Sequence, residues 1–141
     1  MDYPVKPVVL PKDIAKAENG KLDATVLKKI DGGHLHHLAA DAWQAMKVAA
    51  NADHIDLDPT SKWDLYRPYE RQEALFLSRY VDKDNGSKVT RKWKGKTWWL
   101  KPGMAPAGVP GTSNHGWGLA VDVSGASGKR LQWLLKHADQ F

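Results

Sequence analysis

The sequence predicts an α+β fold, and three observations predict it. Runs with helical periodicity and runs that alternate are interspersed along one chain, every alternating run is short, and the links between them are irregular. A doubly wound sheet would need regular helical crossovers instead. The 141 residues are 42% hydrophobic and 26% charged, the make-up of one folded domain able to bury a core. They divide into an irregular arm, 1–22, and a single domain, 23–141.

In the arm, Pro4, Pro7 and Pro11 impose extended backbone and Asn19-Gly20 reads as a turn. Asp23 then reads as the N-cap of a short helix, 23–30, stopped by Gly32-Gly33. The clearest helix is 34–52, where Leu35, Leu38, Ala39, Ala42, Met46, Ala49 and Ala50 form an apolar stripe flanked by Trp43. Residues 56–61 form a polar turn and 63–67 a short strand, held extended at Arg67 by Pro68. A helix follows over 70–80, with Leu75, Phe76 and Tyr80 inward. Residues 89–100 read as a hairpin with Lys94-Gly95-Lys96 at its tip. A Pro/Gly-rich loop, 101–114, precedes a strand over 118–123, and the last helix covers 127–140.

Composition excludes whole classes of chemistry. With no cysteine there is no disulfide, no Cys-ligated zinc, no iron–sulfur cluster and no thiol nucleophile. No apolar run approaches the roughly 20 residues that span a bilayer, and the N-terminal residues lack the apolar core of a secretion signal. Lys and Arg number 21 against 16 Asp and Glu, a net charge of +5, which favours an anionic partner such as a cell wall, nucleic acid or membrane surface.

The chemistry concentrates in PGTSNHGWGLAVDVS, residues 110–124. On a strand, Leu119, Val121 and Val123 face a core while Gly118, Ala120 and Asp122 form the opposite face, a floor with one carboxylate. His115 precedes Asp122 by seven residues, too far for a shared ion if the chain runs straight. Gly116 and Gly118 let it fold back. The pair could then ligate a metal; equally, His115 could be a turn hydrogen-bonder and Asp122 a partner for a neighbouring Arg. A Ser113/His115/Asp122 triad is disfavoured, because all three lie in one short segment without a nucleophile elbow.

Ser113-x-His115-x-x-Gly118-x-Ala120-x-Asp122 resembles the signature of the VanY-type D-alanyl-D-alanine carboxypeptidases, a family that also holds the L-alanyl-D-glutamate endopeptidases of phage lysins. Asp64-Leu65-Tyr66-Arg67-Pro68-Tyr69-Glu70-Arg71-Gln72 is similar to the family's Tyr-Arg-Ser/Thr-x-x-x-Gln segment, and the resemblance spans roughly 35–141. It implies a hedgehog-like fold with a small antiparallel sheet packed against helices. It implies zinc held by His115 and Asp122, with Arg67, Gln72 and Ser113 contacting a peptidoglycan stem peptide and Arg67 and Ser113 taking part in catalysis. It also implies action at the bacterial cell wall, by a phage-encoded or virion-borne protein given the missing secretion signal.

The family's third zinc ligand, a His in a Trp-His pair with a catalytic Glu shortly before it, has no counterpart after Asp122. A fragment of a longer enzyme, a second chain completing the site, or a non-catalytic wall-peptide-binding relative would each account for this; the first is the reading favoured. His137 lacks the adjoining Trp and Glu, and His37 with Asp41 reads as a surface pair. A separate reading concerns KVTRKWKGKTWWLK, residues 88–101, where six basic residues alternate with Trp93, Trp98 and Trp99. This is the pattern of a nucleic-acid stacking groove, or of an edge hairpin solvated by lysines; the former is the weaker expectation.

Overall fold

Asp31 and Gly32 both take positive φ, 49° and 81°, and close a tight hairpin between β1 (Leu27–Ile30) and β2 (Gly33–His36). The short helix expected over 23–30 is therefore only a turn of 3-10 helix, Ala24–Val26, followed by a strand. The Asp-Gly pair outweighs the N-cap signal of Asp23, because it fixes the register in which Ile30 meets Gly33 and Leu27 meets His36. The structure, a computed structural model, describes residues 5–141; Pro4 of the expected arm lies outside the described residues.

Helix α1 (His37–Ala52) begins three residues later than its apolar spacing predicts, since 34–36 pair with β1. The His36 imidazole caps it by accepting the Leu38 N–H at 3.2 Å. The buried face carries Ala40, Trp43 and Ala50, whereas Leu38, counted in the expected stripe, is 55% exposed. Trp43 and Leu35 join Leu57, Leu65 and Trp133 of α3 (Gly128–His137) in the first core. Truncating Trp43 would cost about 3–5 kcal/mol. Asp31 binds the hairpin to this helix, accepting from the Trp43 indole at 2.7 Å and from Lys47 at 2.8 Å.

The expected strand at 63–67 is a 3-10 turn, Lys62–Asp64, capped by Ser61, and then irregular extended chain. It makes single, scattered backbone bonds, Tyr66 N–H to His34 C=O, Arg67 N–H to His115 C=O and Asp122 N–H to Asp64 C=O, so no ladder forms. Pro68 then launches α2 (Tyr69–Arg79). Strands β3 (Tyr80–Val81), β4 (Thr90–Trp93) and β5 (Lys96–Leu100) form a second antiparallel sheet in the order β3-β5-β4. The hairpin reading holds, with Lys94 and Gly95 at positive φ making its tip. Phe76, Tyr80 and Leu100 centre the second core, with Trp93 and Trp98 packed against it.

The fold is α+β, with three α-helices and two small antiparallel sheets among the described residues. Of the strand expected over 118–123, Gly118 is a left-handed turn and 119–123 is extended chain with one isolated bridge, Pro59 to Val123, because the segment beside it, 58–64, is a turn rather than a strand. The alternation survives: Val121 and Val123 pack on the first core and Asp122 is exposed on the other side. Residues 12–22 are tied down as well. Ile14 is 1% exposed, and Gly20 exchanges backbone bonds with Gly116 and Tyr69. No helix among the described residues is long and apolar enough to cross a membrane.

Candidate metal centre and peptide cleft

Ser113 caps a 3-10 turn, Asn114–Trp117, with its hydroxyl oxygen accepting the His115 N–H at 3.2 Å. Gly118 follows at φ +66°, where a Cβ would lie 2.6 Å from the backbone nitrogen of His36. Only glycine allows both the left-handed turn and the close approach. Gly116 is crowded too, since a Cβ there would meet Asn19 Oδ1 at 1.9 Å. Asn19 in turn donates to the Ser113 carbonyl at 2.8 Å, bracing this loop from the arm. The reversal brings 119–122 back beneath His115, and Asp122 N–H donates to the Asp64 carbonyl at 3.1 Å.

His115 Nε2 and Asp122 Oδ1 face each other at 3.4 Å. His115 Nδ1 lies 2.9 Å from the Leu65 carbonyl, an acceptor, so Nδ1 carries the proton and Nε2 presents a lone pair. Two acceptors thus confront one another, an arrangement that needs a proton or a cation between them. Tetrahedral zinc, with donors at about 2.0–2.1 Å, sets two ligand atoms roughly 3.3 Å apart. The imidazole–carboxylate donor set, the spacing and the carbonyl fixing the tautomer all fit zinc. No third His, Asp or Glu among the described residues joins this pair with ligand atoms within 4.8 Å.

Arg67 is 8% exposed and spreads its guanidinium over three acceptors. Nε donates to the Trp63 carbonyl at 2.9 Å, Nη1 to Gln72 Oε1 at 2.8 Å and Nη2 to Asp64 Oδ1 at 2.8 Å. Its carboxylate partner is Asp64. Two of the five N–H donors remain for a ligand. Burial opposes ionisation of Asp64, but hydrogen bonds from Thr60 and Ser61 and the Arg67 charge outweigh it and hold the carboxyl below its ordinary range. Gln72, 3% exposed, accepts from Arg67 and donates to the Gly108 carbonyl at 2.7 Å, so its amide positions Arg67 and the far wall.

These side chains line one cleft of about 680 Å³, which contains Arg67, Gln72, Ser113, His115 and Asp122 together. Sequence reasoning missed three further members. Asp64 anchors Arg67, Arg71 stacks its guanidinium 4.2 Å above the Trp63 ring, and Arg79 donates to the carbonyls of Ala105 and Pro106. Arg71, Leu75 and Arg79 recur every fourth residue and all line the cleft. That spacing on α2 was the available signal.

The remaining histidines do other work. His37 pairs with Asp13 at 2.8 Å rather than with Asp41, which pairs with Lys28 at 2.6 Å. Asp13, His36 and His37 bring three donor atoms together. However, His36 Nδ1 accepts from Leu38, so Nε2 bears the proton that it donates to Asp13 at 2.7 Å. This trio is outside the cleft and pins residues 12–14 to α1. Hydrogen bonds from His37 and His36 lower the Asp13 carboxyl below its ordinary range. His137 lies against Trp133, ring centroids 4.8 Å apart.

The chain matches the family model of VanY, described as D-alanyl-D-alanine carboxypeptidase, over residues 32–141. No curated protein and no solved structure matches it.

Proposed function

The chain belongs to the VanY family of D-alanyl-D-alanine carboxypeptidases, and from that membership we propose that it is a zinc-dependent peptidase of peptidoglycan stem peptides. The family is one of peptidases acting on the cell wall. The observation that carries the zinc reading is the confrontation of His115 Nε2 and Asp122 Oδ1 across 3.4 Å in a cleft that also holds a buried arginine. His115 and Asp122 hold the metal. Bound zinc supplies a Lewis acid for the scissile carbonyl and lowers the pKa of a water.

The other groups bind and orient. Arg67 offers its two remaining N–H donors to a terminal carboxylate or to the oxygen on which charge develops, a fork that lysine lacks. It arrives pre-positioned, because Trp63, Asp64 and Gln72 fix the plane of the guanidinium. Ser113 uses its oxygen on the His115 amide and keeps its hydroxyl proton for a peptide carbonyl. Arg71 adds a second cation at the cleft, suited to stem peptides carrying a further carboxylate.

The test joins metal content with turnover. Elemental analysis should find one zinc per chain, lost in His115→Ala and Asp122→Ala. Synthetic peptides ending in D-Ala-D-Ala should release D-alanine, and the same variants should lower that release by more than about 100-fold, the upper end for losing an outer-shell partner alone. Cleavage of an L-Ala-D-Glu linkage instead would assign endopeptidase action. Wild-type protein without zinc would refute the metal reading.

A second reading has its own observation. The acidic residues of the cleft are Asp64 and Asp122; the first is bonded to Arg67, Thr60 and Ser61 and the second faces His115. Neither is free to take a proton from water. Stoichiometric zinc and stem-peptide binding with no cleavage of either linkage would make this a wall-peptide-binding module.

A further inference from the structure

The net positive charge of this protein is concentrated at one hairpin and its flanks. Residues 88–101 hold six Lys and Arg and no Asp or Glu. The other 127 residues hold 15 Lys and Arg against 16 Asp and Glu, so 15 − 16 leaves −1 for the rest of the chain. The net +5 is thus a local +6 on the β4–β5 hairpin and its flanks. Lys88, Lys92, Lys94 and Lys96 are all exposed. Among the described residues only Lys96 meets an acid, Asp82, at 3.9 Å.

The aromatic residues of the hairpin point elsewhere. Trp93 and Trp98 lie edge-on to Phe76, with centroids at 5.2 and 5.7 Å, and belong to the second core. Lys94 covers the Trp93 ring at 4.7 Å. Two of the three stacking surfaces that a single-stranded nucleic acid would need are therefore occupied. Lys92 pairs with Thr97 and Thr90 with Trp99, so alternation puts these four on the outward face. No residue of 88–101 lines the cleft.

We propose that this hairpin is a docking surface for the phosphodiester-linked anionic polymers of the bacterial cell wall, holding the cleft against the peptidoglycan that carries them. The choice of polymer rests on the proposed function, whereas the charge asymmetry does not. Electrostatic docking on a repeating phosphate chain needs clustered flexible cations rather than base-reading groups, and Lys88, Lys92, Lys94 and Lys96 supply them, exposed along one short hairpin.

The test uses two quadruple variants of the full chain with equal net charge. One carries Lys88→Gln, Lys92→Gln, Lys94→Gln and Lys96→Gln. The other carries Lys12→Gln, Lys16→Gln, Lys29→Gln and Lys129→Gln, four exposed lysines elsewhere. Circular dichroism melts verify that both fold. Co-sedimentation is measured with purified walls, intact and stripped of phosphodiester polymer by acid, over about 0.05–0.2 M salt. The hairpin variant should bind intact walls at least about tenfold more weakly, with a log–log salt slope shallower by roughly 3, at about 0.7 per lost phosphate contact. The other variant should bind like wild type, and stripped walls should bind neither tightly. Equal losses in both variants, equal binding to stripped walls, or tighter binding to single-stranded DNA than to intact walls would each overturn the proposal. So would unchanged binding with concentration-dependent self-association, which would make the lysines guards of an edge strand. The readout is binding, so a protein that releases no D-alanine still decides the question.

Discussion

Arg67→Lys isolates what the buried guanidinium contributes, since it keeps the charge and removes the fork. In the native protein three acceptors, the Trp63 carbonyl, Gln72 Oε1 and Asp64 Oδ1, are met at 2.8–2.9 Å from three different nitrogens. An ammonium at the end of an unbranched stem retains the Asp64 contact and leaves the other two. Each abandoned acceptor in a site this buried costs about 1–2 kcal/mol, so the variant should lose roughly 2–4 kcal/mol. For a chain of this size that is a melting temperature lower by roughly 6–15 °C. Urea unfolding gives the free energy, with an unchanged m-value showing that the comparison is two-state. Repeating it in the Gln72→Leu background, where one acceptor is already gone, should reduce the loss by about 1 kcal/mol or more. A loss below about 1 kcal/mol in the native background, or one unaffected by Gln72→Leu, would refute the three-acceptor account of how Arg67 is held.

Other consequences follow from single contacts. Gly116→Ala places a methyl where Asn19 Oδ1 now sits and should cost about 1–3 kcal/mol; Asn19→Ala in the same chain should restore part of it, and a urea double-mutant cycle measures the coupling. Asp64 is held below its ordinary value of 3.8 in the folded protein. Its contribution is therefore complete above that value and lost as pH falls through the lower folded one. Thermal melts of Asp64→Asn against pH should show less acid-induced loss below about pH 4 than the wild type. Arg71→Gln removes a cation stacked on Trp63 without touching the His115–Asp122 pair, so it should raise KM for stem peptides bearing an extra carboxylate about tenfold with kcat little changed. Steady-state kinetics on peptides with and without that carboxylate measures the difference.

What the sequence determined by itself is the set of local instructions. The α+β class, helix α2, the β4–β5 hairpin and the last helix follow from periodicity and turn residues within a few positions of each other. So does the outward placement of Asp122, because extended chain alternates its faces whether or not a neighbour pairs with it. Tertiary structure decided everything that depends on a partner distant in sequence. Residues 118–123 fail to become a strand because a turn lies beside them. The approach of His115 to Asp122 needs the crowding of Gly118 by His36 and the brace from Asn19. The anchoring of Arg67 needs Asp64, Gln72 and the Trp63 carbonyl at once. A motif states which donors are available and how far apart they are along the chain. Only the packing of remote segments fixes the sub-ångström placement on which a metal centre depends.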